Sequence, residues 1–134
     1  MYDKEFDRPL DIKNLGNIFY YNKLNNTLEK EVGDFLRANT NSPKLYSNAL
    51  RHQYVSALYA RNLGDNIAKN LGQLNEFTNL SGSGREDTQI DKINNEIGRQ
   101  YGLSNPTMPK NELLFKLLTD YDKNNELVKS KMSE

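Results

Sequence analysis

Apolar residues recur along this chain at steps of three and four rather than two, the spacing of helices that pack through one face. The strongest run is SPKLYSNALRHQYVSALYARNLG at 42–64. Leu45, Ala49, His52, Ser56, Tyr59 and Leu63 fall on one side of it, and Leu50, Tyr54, Ala57 and Leu58 on another. A helix apolar nearly all round is buried by several neighbours, which leaves only the line through Lys44, Ser47, Arg51 and Arg61 polar. Its ends are marked. Ser42 is placed to cap the first turn, Pro43 brings a helical φ, and Gly64 suits the left-handed residue after a helix. The pattern predicts an all-α chain, a single domain over 1–134, folded as a compact bundle of five to six helices around a central buried helix at about 43–63.

On the N-terminal side, Leu15, Ile18 and Phe19 share a face, and Leu28, Val32, Phe35 and Leu36 form a second stripe. Asn26 and Glu29 have the spacing of a capping box and predict two helices, yet Leu24, Leu28, Val32 and Phe35 equally continue one long helix from about 11 to 38. Beyond Gly64, Asp65 is a candidate cap for a helix to about Thr78, with Ile67, Ala68, Leu71 and Leu74 inward. The stretch NLSGSGRED reads as an exposed loop and a lid candidate; its GSGR lacks the spacing and the Lys-Ser/Thr pair of a phosphate loop. Asp87 or Thr88 then opens a helix striped by Ile90, Ile93 and Ile97 and stopped by Gly102. Pro109 opens the last helical stretch, with a possible break over Asp122 to Asn125.

Composition narrows the function classes. Eighteen basic residues balance eighteen acidic ones in 134, so no global field favours a phosphate backbone, and no specific nucleic acid is expected as a partner. There is no cysteine, which removes disulfides and thiolate chemistry. No apolar run approaches the roughly 20 residues of a membrane span, and MYDKEFDRPLD lacks the basic start and apolar run of a signal peptide. With one histidine and no EF-hand spacing, neither a metal nor another cofactor is expected.

The polar residues that a solvated helix face does not explain are Arg51, His52, Glu76, Asp91, Asn94, Asn95 and Arg99, all on apolar-rich helices. In one reading His52 is a general base oriented by Glu76 or Asp91, with Asn95 or Arg99 stabilising developing negative charge. In the other, the same residues form a buried hydrogen-bond network that fixes helix register, with Arg99 paired to Glu76 or Asp91 and His52 satisfied by an asparagine. A Ser56 nucleophile beside His52 would lack the exposed, sharply turned setting that such a serine needs.

The segments RHQYVSAL at 51–58, GQLNE at 72–76 and DKINNEIGR at 91–99 carry a resemblance. Residues 45–102 resemble an uncharacterised helical domain of bacterial proteins, including toxin and secreted modules, and of phage genomes. Its pattern is Arg-His-x-Tyr/Trp-x-x-Ala, then His-Glu or Asn-Glu, then Asp-x-x-Asn-Asn-x-x-Gly-Arg. Asn75 stands where many members have histidine, a departure that implies a scaffold kept without its chemistry. The resemblance, with an AT-rich style of composition, implies a small phage-type virion or tail-associated structural protein. Such a protein binds other subunits of an assembly as an oligomer or complex, in the phage particle or in the host cytoplasm before assembly. The alternative is an envelope-acting hydrolase using His52 with Glu76 or Asp91.

Overall fold

A computed structural model describes residues 15–78 and 85–133, with side chains over 20–73 and 88–133. Six helices follow one another: α1 (Leu15–Asn39), α2 (Pro43–Leu63), α3 (Asp65–Thr78), α4 (Arg85–Ser104), α5 (Lys110–Thr119) and α6 (Tyr121–Met132). There is no strand among the described residues. The fold is an all-α bundle, and α2 is its axis: α1, α3, α4 and α5 all pack on it, and every residue from Gln53 to Ala60 is buried.

The N-terminal stretch is one helix, not two. Leu24, Leu28, Val32 and Leu36 are all buried in the core, and that continuous stripe outweighs the local capping signal at Asn26. Asn25, one residue earlier, is buried and accepts the Tyr59 hydroxyl at 3.1 Å. Tyr21 packs edge-on against Tyr59. Ser42 makes no capping bond through its side chain. The turn is held instead by the Thr40 hydroxyl, which accepts the Ser42 amide at 3.1 Å, while Pro43 takes the first helical position as expected. Gly64 has φ +93°, donates its amide to Ala60 and accepts the Ala68 amide through its carbonyl, so it ends α2 and starts α3 in one residue. That carbonyl, one residue before Asp65, occupies the cap position.

Four further expectations are corrected. Leu45, placed on the buried side by periodicity, is 62% exposed; in the first turn of α2 it is Tyr46 that packs, edge-on against Tyr121 of α6. Ile97 is buried, whereas Ile90 and Ile93 are half-buried. α4 begins at Arg85, ahead of both proposed caps, and runs through Gly102 to Ser104. The last stretch breaks at Asp120, whose amide bonds back to Lys116, rather than within Asp122 to Asn125. The lid candidate at 79–84 lies outside the described residues.

Gly102 and Gly98 have a different task from stopping a helix. A Cβ on Gly98 would lie 2.6 Å from the Gln53 Cα and 2.7 Å from its carbonyl carbon; one on Gly102 would lie 2.7 Å from the Ala57 carbonyl carbon. α4 therefore rests directly on the backbone of α2, four residues matched to four. Further along, Arg61 donates to the carbonyls of Met108 (2.6 Å) and Asn105 (3.3 Å) and pins the turn that follows α4.

Gly98→Ala should destabilise the protein by about 2–4 kcal/mol, because the added methyl forces two helices apart and the gain in helix propensity is only about 1 kcal/mol. Gly33→Ala, where a Cβ meets only the flexible Arg37 side chain, should be neutral or stabilise by up to about 1 kcal/mol. Urea unfolding midpoints of the two variants check this. Equal effects would place the close approach elsewhere.

Candidate functional site

The polar cluster sits in the same α2–α4 seam, one and two turns before the glycines on α4. Helices this close leave no room for a hydration layer, so polar side chains between them must pair with one another. They do so in rungs. Asn48 Nδ2 donates to Asp91 Oδ1 at 3.2 Å, His52 Nε2 lies 3.2 Å from the same Asp91 oxygen, and His52 Nδ1 lies 3.0 Å from Asn95 Oδ1. Beside them Gln53 donates from Nε2 to Asn94 Oδ1 at 2.8 Å, with both residues buried. Asn95 also faces α3, where a Cβ on Gly72 would come within 3.2 Å of its amide nitrogen.

His52, Asp91 and Asn95 are thus brought together, and Asn94 is drawn into the neighbouring rung with Gln53. Arg51 turns outward, donating to Asn48 Oδ1 at 3.1 Å and lying 3.6 Å from Glu29 of α1. Arg99 does not pair with Asp91. Its Nε donates to Asp65 Oδ1 at 3.0 Å, tying α4 to the first turn of α3. The backbone of Glu76 belongs to α3, but its side chain lies outside the described residues. Asn48, Gln53 and Asp65 complete the network and were not singled out from the sequence. The signal available for Gln53 was an amide in the middle of a helix apolar on nearly every side. Among the described residues no group of three or more histidine, cysteine, aspartate or glutamate side chains could hold a metal ion, and no helix is long and apolar enough to cross a membrane.

The electrostatics of His52 are a contest. Its side chain is 18% exposed and that of Asp91 19%. Burial pushes the imidazole below its ordinary value, reinforced by the Arg51 guanidinium; the Asp91 carboxylate, the Asn95 hydrogen bond and Glu29 pull upward without overcoming it. A neutral ring has one N–H for two acceptors. Protonation supplies the second, at the cost of a charge in the seam.

A second feature lies between α4 and the α5–α6 corner, a groove of about 360 Å³ lined by Ile97, Tyr101, Lys123 and Leu127 among others. The Tyr101 hydroxyl donates to Asp120 at 2.7 Å and accepts from Asn124 Nδ2 at 3.2 Å. Burial and the nearby Asp120 push this hydroxyl up to about 12, so it stays protonated.

A family profile described as a domain of unknown function, DUF6973, matches residues 15–126. The chain belongs to the DUF6973 family. No curated protein and no solved structure matches it. The family match is wider than the 45–102 segment that carries the polar motifs. In this DUF6973 domain it takes in all of α1, which buries one side of α2, and α5, which buries another. The α2–α4 seam lies inside it, and so does the groove apart from Leu127 and Lys131.

Because the His52 pKa is lower folded than unfolded, the unfolded chain takes up its proton first as pH falls. Stability should therefore be full above the ordinary imidazole pKa of about 6.5 and decline as pH drops below it, until the folded ring is protonated as well. Urea midpoints measured from about pH 7.5 to about pH 5.5 should fall, and His52→Gln should flatten that slope, since the chain has no other histidine. A midpoint that rises on acidification would reverse the assignment.

Proposed function

We propose that this DUF6973 domain is a non-catalytic building block: a small phage-type virion or tail-associated protein whose polar cluster holds the bundle and whose outer faces bind neighbouring subunits. The observation that carries this reading is the double engagement of His52, with Asn95 at Nδ1 and Asp91 at Nε2. A general base keeps one ring nitrogen for the reacting proton and is oriented through the other. Here both nitrogens face protein acceptors, and Asp91 is shared with Asn48. Leu103, Phe115 and Leu127, each more than two fifths exposed, offer apolar contact points on α4, α5 and α6. The particle itself is supported by the resemblance of the three polar motifs to domains from phage genomes. Such subunits work in an oligomer or complex, formed from the host cytoplasm.

One observation favours a second reading, the envelope-acting hydrolase. The His52–Asp91 pair, with an imidazole kept neutral by burial, is the start of a general base, and Asn95 or Arg99 would hold the oxyanion. That mechanism requires Asn95 to release Nδ1 or Asp91 to release Nε2.

His52→Gln separates the two. It should cost about 1–3 kcal/mol of stability from an imperfectly satisfied network, while the folded variant still assembles with its partners. Denaturation, particle incorporation and hydrolysis of envelope material are measured on the same preparation. Hydrolysis by the parent that falls about a hundredfold or more in a folded, normally incorporated variant overturns the first reading.

A further inference from the structure

Counted in donors and acceptors, the rung at His52 is one proton short when the ring is neutral. Asp91 Oδ1 accepts the Asn48 amide at 3.2 Å and lies 3.2 Å from His52 Nε2. A carboxylate only accepts, so the hydrogen in that contact belongs to Nε2. In a neutral ring this leaves Nδ1 with a lone pair, 3.0 Å from Asn95 Oδ1, which carries lone pairs of its own. Two acceptors at that distance repel. The rung as it stands is the one an imidazolium makes, with Nδ1–H donated to Asn95 and Nε2–H to Asp91.

The surroundings work against that charge. Burial and Arg51 on α2 disfavour it, Asp91 on α4 and Glu29 on α1 favour it, and the balance holds the ring below its ordinary value. Of the described α3 side chains, Asp65 is taken by Arg99. The neutral ring therefore needs a donor at Nδ1, and Asn95 carries one on its other arm. A half-turn about the terminal torsion of an asparagine, which is broad and two-fold, exchanges Nδ2 for Oδ1 without moving the backbone. Asn95 is buried between α2 and α3, with Nδ2 only 3.2 Å from where a Cβ on Gly72 would stand. The group it turns toward His52 is turned away from α3.

We infer that Asn95 is a proton-driven relay: it offers Nδ2 to a neutral His52 and Oδ1 to a protonated one, so that the group it shows to α3 inverts with the charge on α2. With a neutral ring α3 meets a carbonyl oxygen; with a charged ring it meets an amide NH2. Gly72 leaves room for the exchange, since a side chain there would crowd the turning amide. His52 is the chain's one histidine, and imidazole is the side chain that titrates nearest neutral pH, so the device answers to a single group. It goes beyond both functional readings and is independent of which of them holds, because a helix clamp and a general base need the same donor count at Nδ1.

Nitrogen NMR of the full chain tests the relay. At about pH 7.5, well above the ordinary imidazole value, Nε2 should have the shift of a protonated ring nitrogen and Nδ1 that of a bare one, with a coupling across the hydrogen bond from the Asn95 side-chain NH2 to Nδ1. The sample is then acidified for as long as circular dichroism shows it folded. The coupling should vanish as the ring protonates, and the Asn95 side-chain NH2 and the Gly72 backbone amide should shift with the same midpoint as the ring. His52→Gln should abolish that common titration; should this variant fail to fold, the tautomer and the coupling in the parent chain still decide. A neutral ring protonated at Nδ1, an Asn95 amide uncoupled from the ring at about pH 7.5, an amide that does not follow the ring's titration, or a ring that stays neutral until the chain unfolds would each overturn the inference.

Discussion

The bundle depends on how closely α4 lies on α2. With no side chain at Gly98 or Gly102, the α4 backbone meets that of α2 at Gln53 and Ala57, closer than any other residue would permit. Two such contacts, four residues apart on each helix, fix both the separation and the register of the pair. α2 is then closed off by α1, α3 and α5 through Leu28, Leu58, Leu113 and their neighbours. Side chains elsewhere could repack around a lost methylene, whereas a backbone-to-backbone contact has nowhere to go.

That closeness also dictates the chemistry of the seam. Asp91, Asn94 and Asn95 precede the glycines on α4, and Asn48, His52 and Gln53 lie at or before the first facing residue on α2, so the spacing set by glycine brings each to hydrogen-bonding distance of a partner across the helices. A buried amide or imidazole left unpaired would cost about 1–3 kcal/mol, and the seam limits this by matching amide to amide and imidazole to carboxylate and amide, although the buried Gln53 Oε1 has no hydrogen-bond partner among the described residues. Satisfaction and reactivity are opposed here. The bonds that make His52 a good helix clamp take both ring nitrogens, which is why the building-block reading is preferred to the hydrolase. The outer surface is where Leu103, Phe115 and Leu127 remain exposed.

Much of this was legible in the sequence for a definite reason. The three-and-four spacing of apolar residues marks helices whatever surrounds them, and Pro43 and Gly64 act through their own backbone preferences, so the boundaries of α2 follow from local chemistry. His52, Asp91 and Asn95 were legible as a group because each is a polar residue on an otherwise apolar helix. Other signals were local and lost. The Asn26 capping box yielded to a core stripe that continues through it, and Ser42 yielded its capping role to Thr40. Gly102 read as a helix stop, although with Gly98 it makes two glycines four apart, which also mark a surface where another backbone can lie.

What the sequence by itself determined is the all-α class, the bounds and depth of α2 and the identity of most of the polar residues that must find partners. What only the tertiary structure decided is which partner each one found. Arg99 went to Asp65 rather than to Asp91, and Asn94 to Gln53 rather than to His52. Periodicity fixes the face a residue occupies on its own helix, but says nothing of how two helices slide and rotate against each other. Here that offset is set by steric contact at Gly98 and Gly102, and a shift of one turn, about 5.4 Å, would exchange every partner in the seam.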